Sequence, residues 1–173
     1  MMPVFDTIDY LKKGNLKQQR AYAALARHQV MEKLRDFDPI LAGTIPLNID
    51  IEDSDLDIVC FCNDRQEFMQ IATGAFQHMP GFRSRMKPER QAVVVNFFAD
   101  GLEVELFAQN IPSRQQMAYR HMLIEYHLLE LHGEDFRRKV VALKQQGIKT
   151  EPAFAQLLGL EGDPYTALLV YET

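Results

Sequence analysis

Hydrophobic positions change their spacing as the chain advances, and each change predicts a different element. In LKQQRAYAALARHQVMEKLRDF, residues Ala23, Ala26, Val30, Leu34 and Phe37 recur at three- and four-residue steps, which predicts a helix. It ends at Asp38-Pro39, because the residue before a proline is pushed out of helical geometry. ILAG (40–43) and LDIVCFC (56–62) are apolar runs of strand length. Asn63-Asp64 predicts a cap on a helix through RQEFMQIATGAFQHM, closed by Pro80-Gly81.

The hairpin is the most explicit signal. QAVVVNFFA and LEVELFAQ flank Asp100-Gly101, and a two-residue turn of this kind needs positive φ at both positions. Such a turn sets Ala99 opposite Leu102, Phe98 opposite Glu103, Asn96 opposite Glu105 and Val94 opposite Phe107. Val93, Val95, Phe97, Leu102, Val104 and Leu106 then share an apolar face, while Asn96, Glu103 and Glu105 share the other. After Pro112 the helical period returns. One helix runs through SRQQMAYRHMLIEYHLLELHG to Gly133 and a second to Gly147. Thr150 is placed to cap a third, with Pro152 in its first turn, and a short helix follows Asp163-Pro164. Tyr126, Leu129 and Phe136 read as core. The order predicts an α+β fold in which residues 1–110 form a core with N-terminal helices and 111–173 form a helical region packed on it.

Composition narrows the class. The chain of 173 residues is the size of one domain and can bury a sizeable core. No apolar stretch has the length of a membrane span. The start, MMPVFDTIDYLKKG, lacks a basic segment followed by an apolar one, so no signal peptide is expected. Cys60 and Cys62, two apart on one strand face, read as buried thiols rather than a disulfide, which fits a reducing, cytoplasmic setting. A net charge of −5 argues against a protein that coats nucleic acid.

The charge is concentrated in one place. Asp50, Glu52, Asp53, Asp55 and Asp57 crowd the entry to LDIVCFC. Asp55 and Asp57 stand two apart, so in a strand both project from one face while Leu56, Ile58 and Cys60 pack on the other. Two carboxylates held side by side repel unless a proton or cation lies between them. Hard oxygen ligands select Mg²⁺ or Mn²⁺, and Mg²⁺ is commonly held by one or two carboxylates plus substrate phosphates. Glu103 or Glu105 can supply a third acid. Gly43-Thr44, at the end of the first strand, allows a sharp turn and offers N–H groups and a hydroxyl to a phosphate. A calcium loop from Asp53 is excluded because its sixth position, Ile58, is not glycine. His121 and Glu125 share a helix face but lack the second histidine of a zinc-protease motif. Arg120 and His121 read first as exposed or packing residues, with a reach into the site from the C-terminal helices as the alternative. In FRSRMKPERQ, the bland reading is a solvated loop; the functional one has Arg83 and Arg85 on one strand face, meeting a triphosphate or polyanionic acceptor.

Gly43-Thr44, ten intervening residues, Asp55-Leu56-Asp57-Ile58 and an acid on a later strand together resemble the nucleotidyltransferase superfamily that includes DNA polymerase beta. The superfamily motif is a hydrophobic residue, Gly, Gly or Ser, a spacer, then Asp-hydrophobic-Asp/Glu-hydrophobic; here Thr44 keeps a hydroxyl where Gly or Ser is usual. The core resemblance covers roughly residues 40–108. The whole chain is similar to an uncharacterised bacterial family within that superfamily, and more distantly to GrpB-like proteins. The resemblance implies a nucleotidyltransferase-like mixed sheet with flanking helices and a helical C-terminal part. It implies Mg²⁺ or Mn²⁺ on Asp55, Asp57 and Glu105, a nucleoside triphosphate near Gly43 and Thr44, and transfer of its nucleoside monophosphate to a hydroxyl. Arg83 and Arg85, by their charge and shared strand face, are further candidate contacts to the triphosphate. Glu105 is preferred to Glu103 because the superfamily's third acid sits within a hydrophobic strand, as in Val104-Glu105-Leu106. The acceptor (small molecule, protein or RNA end) is not specified. A non-catalytic nucleotide- or partner-binding module, and a phosphoanhydride hydrolase using the same metals, are the alternatives.

Overall fold

The computed structural model describes residues 5–171, so part of the opening segment read for a leader lies outside the described residues. Five strands form one sheet in the order β1-β2-β5-β4-β3. They are β1 (Ile40–Ala42), β2 (Leu56–Phe61), β3 (Arg83–Lys87), β4 (Ala92–Ala99) and β5 (Leu102–Gln109). β2 and β5 run parallel, and the other neighbours are antiparallel. The hairpin has the expected register, with Asn96 opposite Glu105 and Phe98 opposite Glu103. Asp100 and Gly101 take φ of 50° and 82°, as a two-residue turn between right-twisted strands demands.

One face of the sheet is covered except along the edge strand β3, where Ser84 and Met86 stay exposed. α1 (Leu16–Arg27), α2 (Val30–Lys33) and α3 (Arg65–Phe76) bury Leu25, Val30, Phe68 and Phe76 in one core with Ile58, Val95, Phe97 and Leu106. Phe76 stacks on Phe97 with ring centroids 4.6 Å apart. α3 is capped as predicted, the Asp64 carboxylate accepting from the N–H groups of Gln66 and Glu67. Cys60 and Cys62 are both free and buried in this core.

The N-terminal helix departs from its predicted face. Gln29 takes φ of 52°, so the chain breaks after α1 and starts again in α2. A left-handed residue resets the helical phase. Ala21, Ala24 and Leu25 are therefore the buried apolar residues of α1, and Ala23 and Ala26 are not among them, whereas Val30, Leu34 and Phe37 are buried as expected.

The opposite face is only partly covered. α4 (Met117–Gln145), α5 (Thr150–Leu158) and α6 (Pro164–Leu169) pack over Ile40, Ala42 and Val59 at the β1–β2 end. α4 is two helices in one, because Gly133 (φ 74°, ψ −166°) breaks the helical geometry where the sequence places the boundary. α4 starts four residues later than the pattern predicts, after a 3₁₀ turn at Ser113–Gln115 and an extended Gln116. Thr150 is the first residue of α5, and Lys149 occupies the cap position. Segment RSRMK is the edge strand β3, not a loop, because it pairs along its length with β4. No helix among the described residues is long and apolar enough to cross a membrane.

Candidate active site

The site lies where the C-terminal helices stop covering the sheet. Along the half-open face, one row of side chains crosses four strands in register: Asp57 on β2, Glu105 on β5, Asn96 on β4 and Arg83 on β3. Leu56 pairs with Val104, so Asp55 lies one residue before this pairing and on the side of Glu103. Leu56, Ile58 and Cys60 point into the opposite core, as strand alternation requires.

Gly43 explains how this half-buried acid is accommodated. At φ +80° it occupies a conformation that favours glycine, and an added Cβ would stand 2.5 Å from Asp57 Oδ2. The close approach made by this backbone is thus to the Asp57 carboxylate itself. The Thr44 hydroxyl lies 3.4 Å from Ser54 Oγ, which accepts from the Ile51 N–H at 2.9 Å. The intervening loop is pinned from both sides. Lys17 donates to the carbonyls of Ile51 and Glu52, at 2.6 and 3.0 Å, and stands 3.9 Å from Asp50. Lys144 donates to the carbonyl of Ile49 at 2.7 Å, and Arg137 to that of Leu47. Asp50 and the Glu52 carbonyl therefore hold the loop to Lys17, while Asp53 lines the cleft.

That cleft has a volume of about 640 Å³ and is lined by Gly43, Thr44, Asp55 and Asp57 on one wall. The other wall carries His121, Glu125, Lys144, Lys149 and Glu151 from α4, α5 and the turn between them. Of this second wall, sequence reasoning weighs His121 as reaching the site and notes Glu125 on the same helix face, and it misses Lys144, Lys149 and Glu151. His121 and Glu125 share a face by their four-residue spacing, but Lys144 and Glu151 join them only because α4 breaks and folds back. Glu125 is 3% exposed, and its Oε1 has no hydrogen-bond partner. His121 is buried, its Nε2 lying 2.9 Å from the Tyr165 carbonyl. Arg120, by contrast, is exposed.

The electrostatics follow from crowding. Burial, with Asp55, Glu105 and Glu151 adding like charge, pushes the Asp57 carboxyl up to about 8. Burial also raises Asp55, and Glu105 and Glu103 raise it further. Burial holds Lys144 down at about 8 despite the pull of Glu125, Asp50 and Glu151. Burial raises Glu125 well above the usual carboxylate range.

This donor set suits a hard divalent cation, since it is all carboxylate oxygen and short of countercharge. Among the described residues, no three His, Cys, Asp or Glu side chains are grouped so as to hold a metal ion by themselves. Glu105 Oε2 instead accepts from Asn96 Nδ2 at 3.3 Å. Glu103 is more firmly engaged, accepting from Arg83 at 2.6 Å and from Asn96 at 3.3 Å. Glu105 faces Asp57 across adjacent strands; Glu103 is tied to an arginine. Arg83 and Arg85 do share one strand face, and Arg85 donates to Asn96 Oδ1 at 3.1 Å. Three strand spacings, roughly 14 Å, separate β3 from β2. Neither arginine lines the cleft that holds Gly43 and Thr44.

The fold is that of the nucleotidyltransferases. The polymerase core of TRAMP, an RNA surveillance complex, superposes with a TM-score of 0.57 at 11% identity, over 93% of this chain and 50% of that one. The GLD-2/RNP-8 complex gives 0.58 at 13% identity, over 87% of this chain and 57% of the other. A cytoplasmic RNA terminal U-transferase gives 0.53 at 13% identity, over 75% and 39%. The chain thus spans between about two fifths and three fifths of the length of these structures. No curated protein matches it. The chain belongs to the family described as "Domain of unknown function (DUF4269)", whose model matches residues 23–171.

Proposed function

We propose that the protein is a nucleotidyltransferase that moves a nucleoside monophosphate from a nucleoside triphosphate to a hydroxyl acceptor. The observation that carries this reading is the placement of Asp55, Asp57 and Glu105 on one open sheet face beside the Gly43-Thr44 turn, within a nucleotidyltransferase-like fold. Asp55, Asp57 and Glu105 would hold Mg²⁺ or Mn²⁺, with phosphate oxygens completing the shell. Bound there, the cation supplies countercharge to the phosphates and lowers the pKa of the attacking hydroxyl.

The chain's own residues divide the remaining work. Thr44 and Ser54 offer hydroxyls on the carboxylate wall of the cleft, and Lys144 and Lys149 supply positive charge on the facing wall. A triphosphate in the cleft would lie between the two. Asp57 is half-buried, so charge interactions there are screened less than in bulk solvent. Glu105 lies on the open side, where an acceptor would enter. Arg83 and Arg85, at the far end of the same row, suit a polyanionic acceptor better than the triphosphate. The RNA-directed neighbours make an RNA end one candidate acceptor.

A second reading rests on one contact. Glu105 is turned to Asn96, which suits a module that binds nucleotide without turnover. Incubation with each labelled nucleoside triphosphate and Mg²⁺ or Mn²⁺, following pyrophosphate and then phosphate release, separates the readings. Pyrophosphate release dependent on acceptor supports transfer; release with water alone identifies a phosphoanhydride hydrolase. Calorimetric binding without any release identifies the binding module. Activity unchanged in both Asp55→Asn and Asp57→Asn would sink the metal site.

A further inference from the structure

The cleft is not the only cavity that touches Asp57. A smaller one, about 220 Å³, lies on its other side and is lined by Asp57, Glu105, Phe107, Arg90, Gln116 and Met117 among others. Its size is below the roughly 300–1,000 Å³ of pockets for drug-sized ligands, so it takes one ring system rather than a whole nucleotide. Phe107 sits two residues beyond Glu105, on the same strand face and only partly buried. The Arg90 guanidinium stands 5.8 Å from the Phe107 ring centroid, and the Arg90 backbone is tethered by a 2.7 Å bond from Gln109 Nε2 to its carbonyl. Met117 is 39% exposed at the start of α4. An aromatic face, a thioether and a guanidinium are the surfaces on which a planar ring packs well.

Gln116 adds direction. It is 2% exposed, and its Nε2 donates to the carbonyls of Cys60 and Ile111, at 2.7 and 3.0 Å. Both donors being used, the amide cannot flip without losing them, and Oε1 is left buried with no partner. An unmet acceptor beside an aromatic wall calls for a ligand with an N–H group at the edge of its ring.

The geometry points to this cavity as the acceptor pocket, holding a planar nitrogen heterocycle that bears an N–H donor, with Phe107 and Arg90 against the ring and Gln116 Oε1 accepting its edge. The pocket shares Asp57 and Glu105 with the site but lies across Asp57 from Gly43, Thr44 and the lysines. A ring held there leaves its attached sugar free to present a hydroxyl at Glu105. This assignment rests on the nucleotidyl-transfer reading for the word acceptor, although the ring site itself does not need turnover. A free nucleoside and the last base of an RNA chain share the required chemistry.

The test titrates adenosine, cytidine and guanosine into the full chain by calorimetry, in Mg²⁺ with a saturating α,β-methylene analogue of ATP present. At least one nucleoside is expected to bind without displacing the analogue. Phe107→Ala, and independently the exposed Arg90→Ala, should weaken that binding about tenfold or more. If adenosine binds, N6,N6-dimethyladenosine, which has lost the edge donor, should bind about tenfold more weakly. A short oligoribonucleotide with the same terminal base binding more tightly than the nucleoside identifies an RNA end as the source; equal affinity identifies the free nucleoside. Binding of no nucleoside, displacement by the ATP analogue, or full affinity in Arg90→Ala and in a folded Phe107→Ala overturns the assignment. Ring binding that needs Phe107, together with no pyrophosphate release from any triphosphate, keeps the pocket and removes the transfer reading. Turnover without ring binding does the reverse.

Discussion

The two faces of the central sheet are made by alternate residues of the same strands, yet they follow opposite rules. Toward α1 and α3, Ile58, Val95, Phe97 and Leu106 are fully buried, and that face carries no charge. On the other face, Asp57, Glu105, Asn96 and Arg83 form a polar row that the C-terminal helices cover at one end only. The first arrangement stabilises the fold through apolar burial. The second costs stability, since a crowded, desolvated Asp57 is harder to ionise than a carboxylate in water. A face that opposes folding in this way is the one on which to look for function.

Adjacent residues on β5 give the sharpest break of that comparison. Glu105→Gln, like Asp55→Asn and Asp57→Asn, should lower pyrophosphate release by on the order of 10²- to 10³-fold, the size seen when one preorganised charge-stabilising group is lost. Urea unfolding of the Glu105 variant should stay near wild type. Leu106→Ala, one residue on, should cost about 2–5 kcal/mol in the same urea experiment, because it opens a cavity in the closed core. Equal stability losses at Glu105 and Leu106 would erase the distinction between the faces.

The pH dependence of stability probes the cost of the polar face. The Asp57 carboxyl, raised to about 8 in the folded chain, titrates near 4 when unfolded. The folded state therefore holds the proton more tightly. Stability from this group is fully present below about pH 4 and is lost as pH rises to about 8. Asp57→Asn removes the penalty, so thermal melts at pH 9 should place it above wild type, by on the order of 5 °C. The difference should vanish near pH 4. Mg²⁺ at pH 8 should raise the wild-type melting temperature by a few degrees (about 2–4 °C per kcal/mol of binding) and leave Asp57→Asn nearly unmoved. The smallest effect belongs to the rim. Arg83→Ala breaks an exposed pair with Glu103 and should cost no more than about 1 kcal/mol in urea, with acceptor affinity the readout that moves.

Much of this face is legible in the amino-acid sequence. The Asp100-Gly101 turn sets the hairpin register, and strand alternation then assigns Leu106 to the core and Glu105 to the open face. Both are local rules, acting over two to four residues. The prediction for α1 fails for a reason of the same kind: a single left-handed residue, Gln29, resets a period that the apolar spacing carries straight through. Of the candidate residues, Gly43, Thr44, Asp55 and Asp57 line one cleft, with Glu105 opposite Asp57, whereas Arg83 and Arg85 lie two strands beyond β5.

By itself, the sequence determined the alternation that aims Asp55 and Asp57 and the turn chemistry that sets Glu105 on the open face, because periodicity and turn geometry are written in neighbouring residues. Only the tertiary structure decided that Gly43 makes room for the Asp57 carboxylate, that Glu103 is held by Arg83, and that Lys144, Glu125 and Glu151 close the second wall. Those contacts join residues far apart in the chain. The second wall in particular depends on where the break at Gly133 sends the second half of α4, and no local spacing encodes that direction.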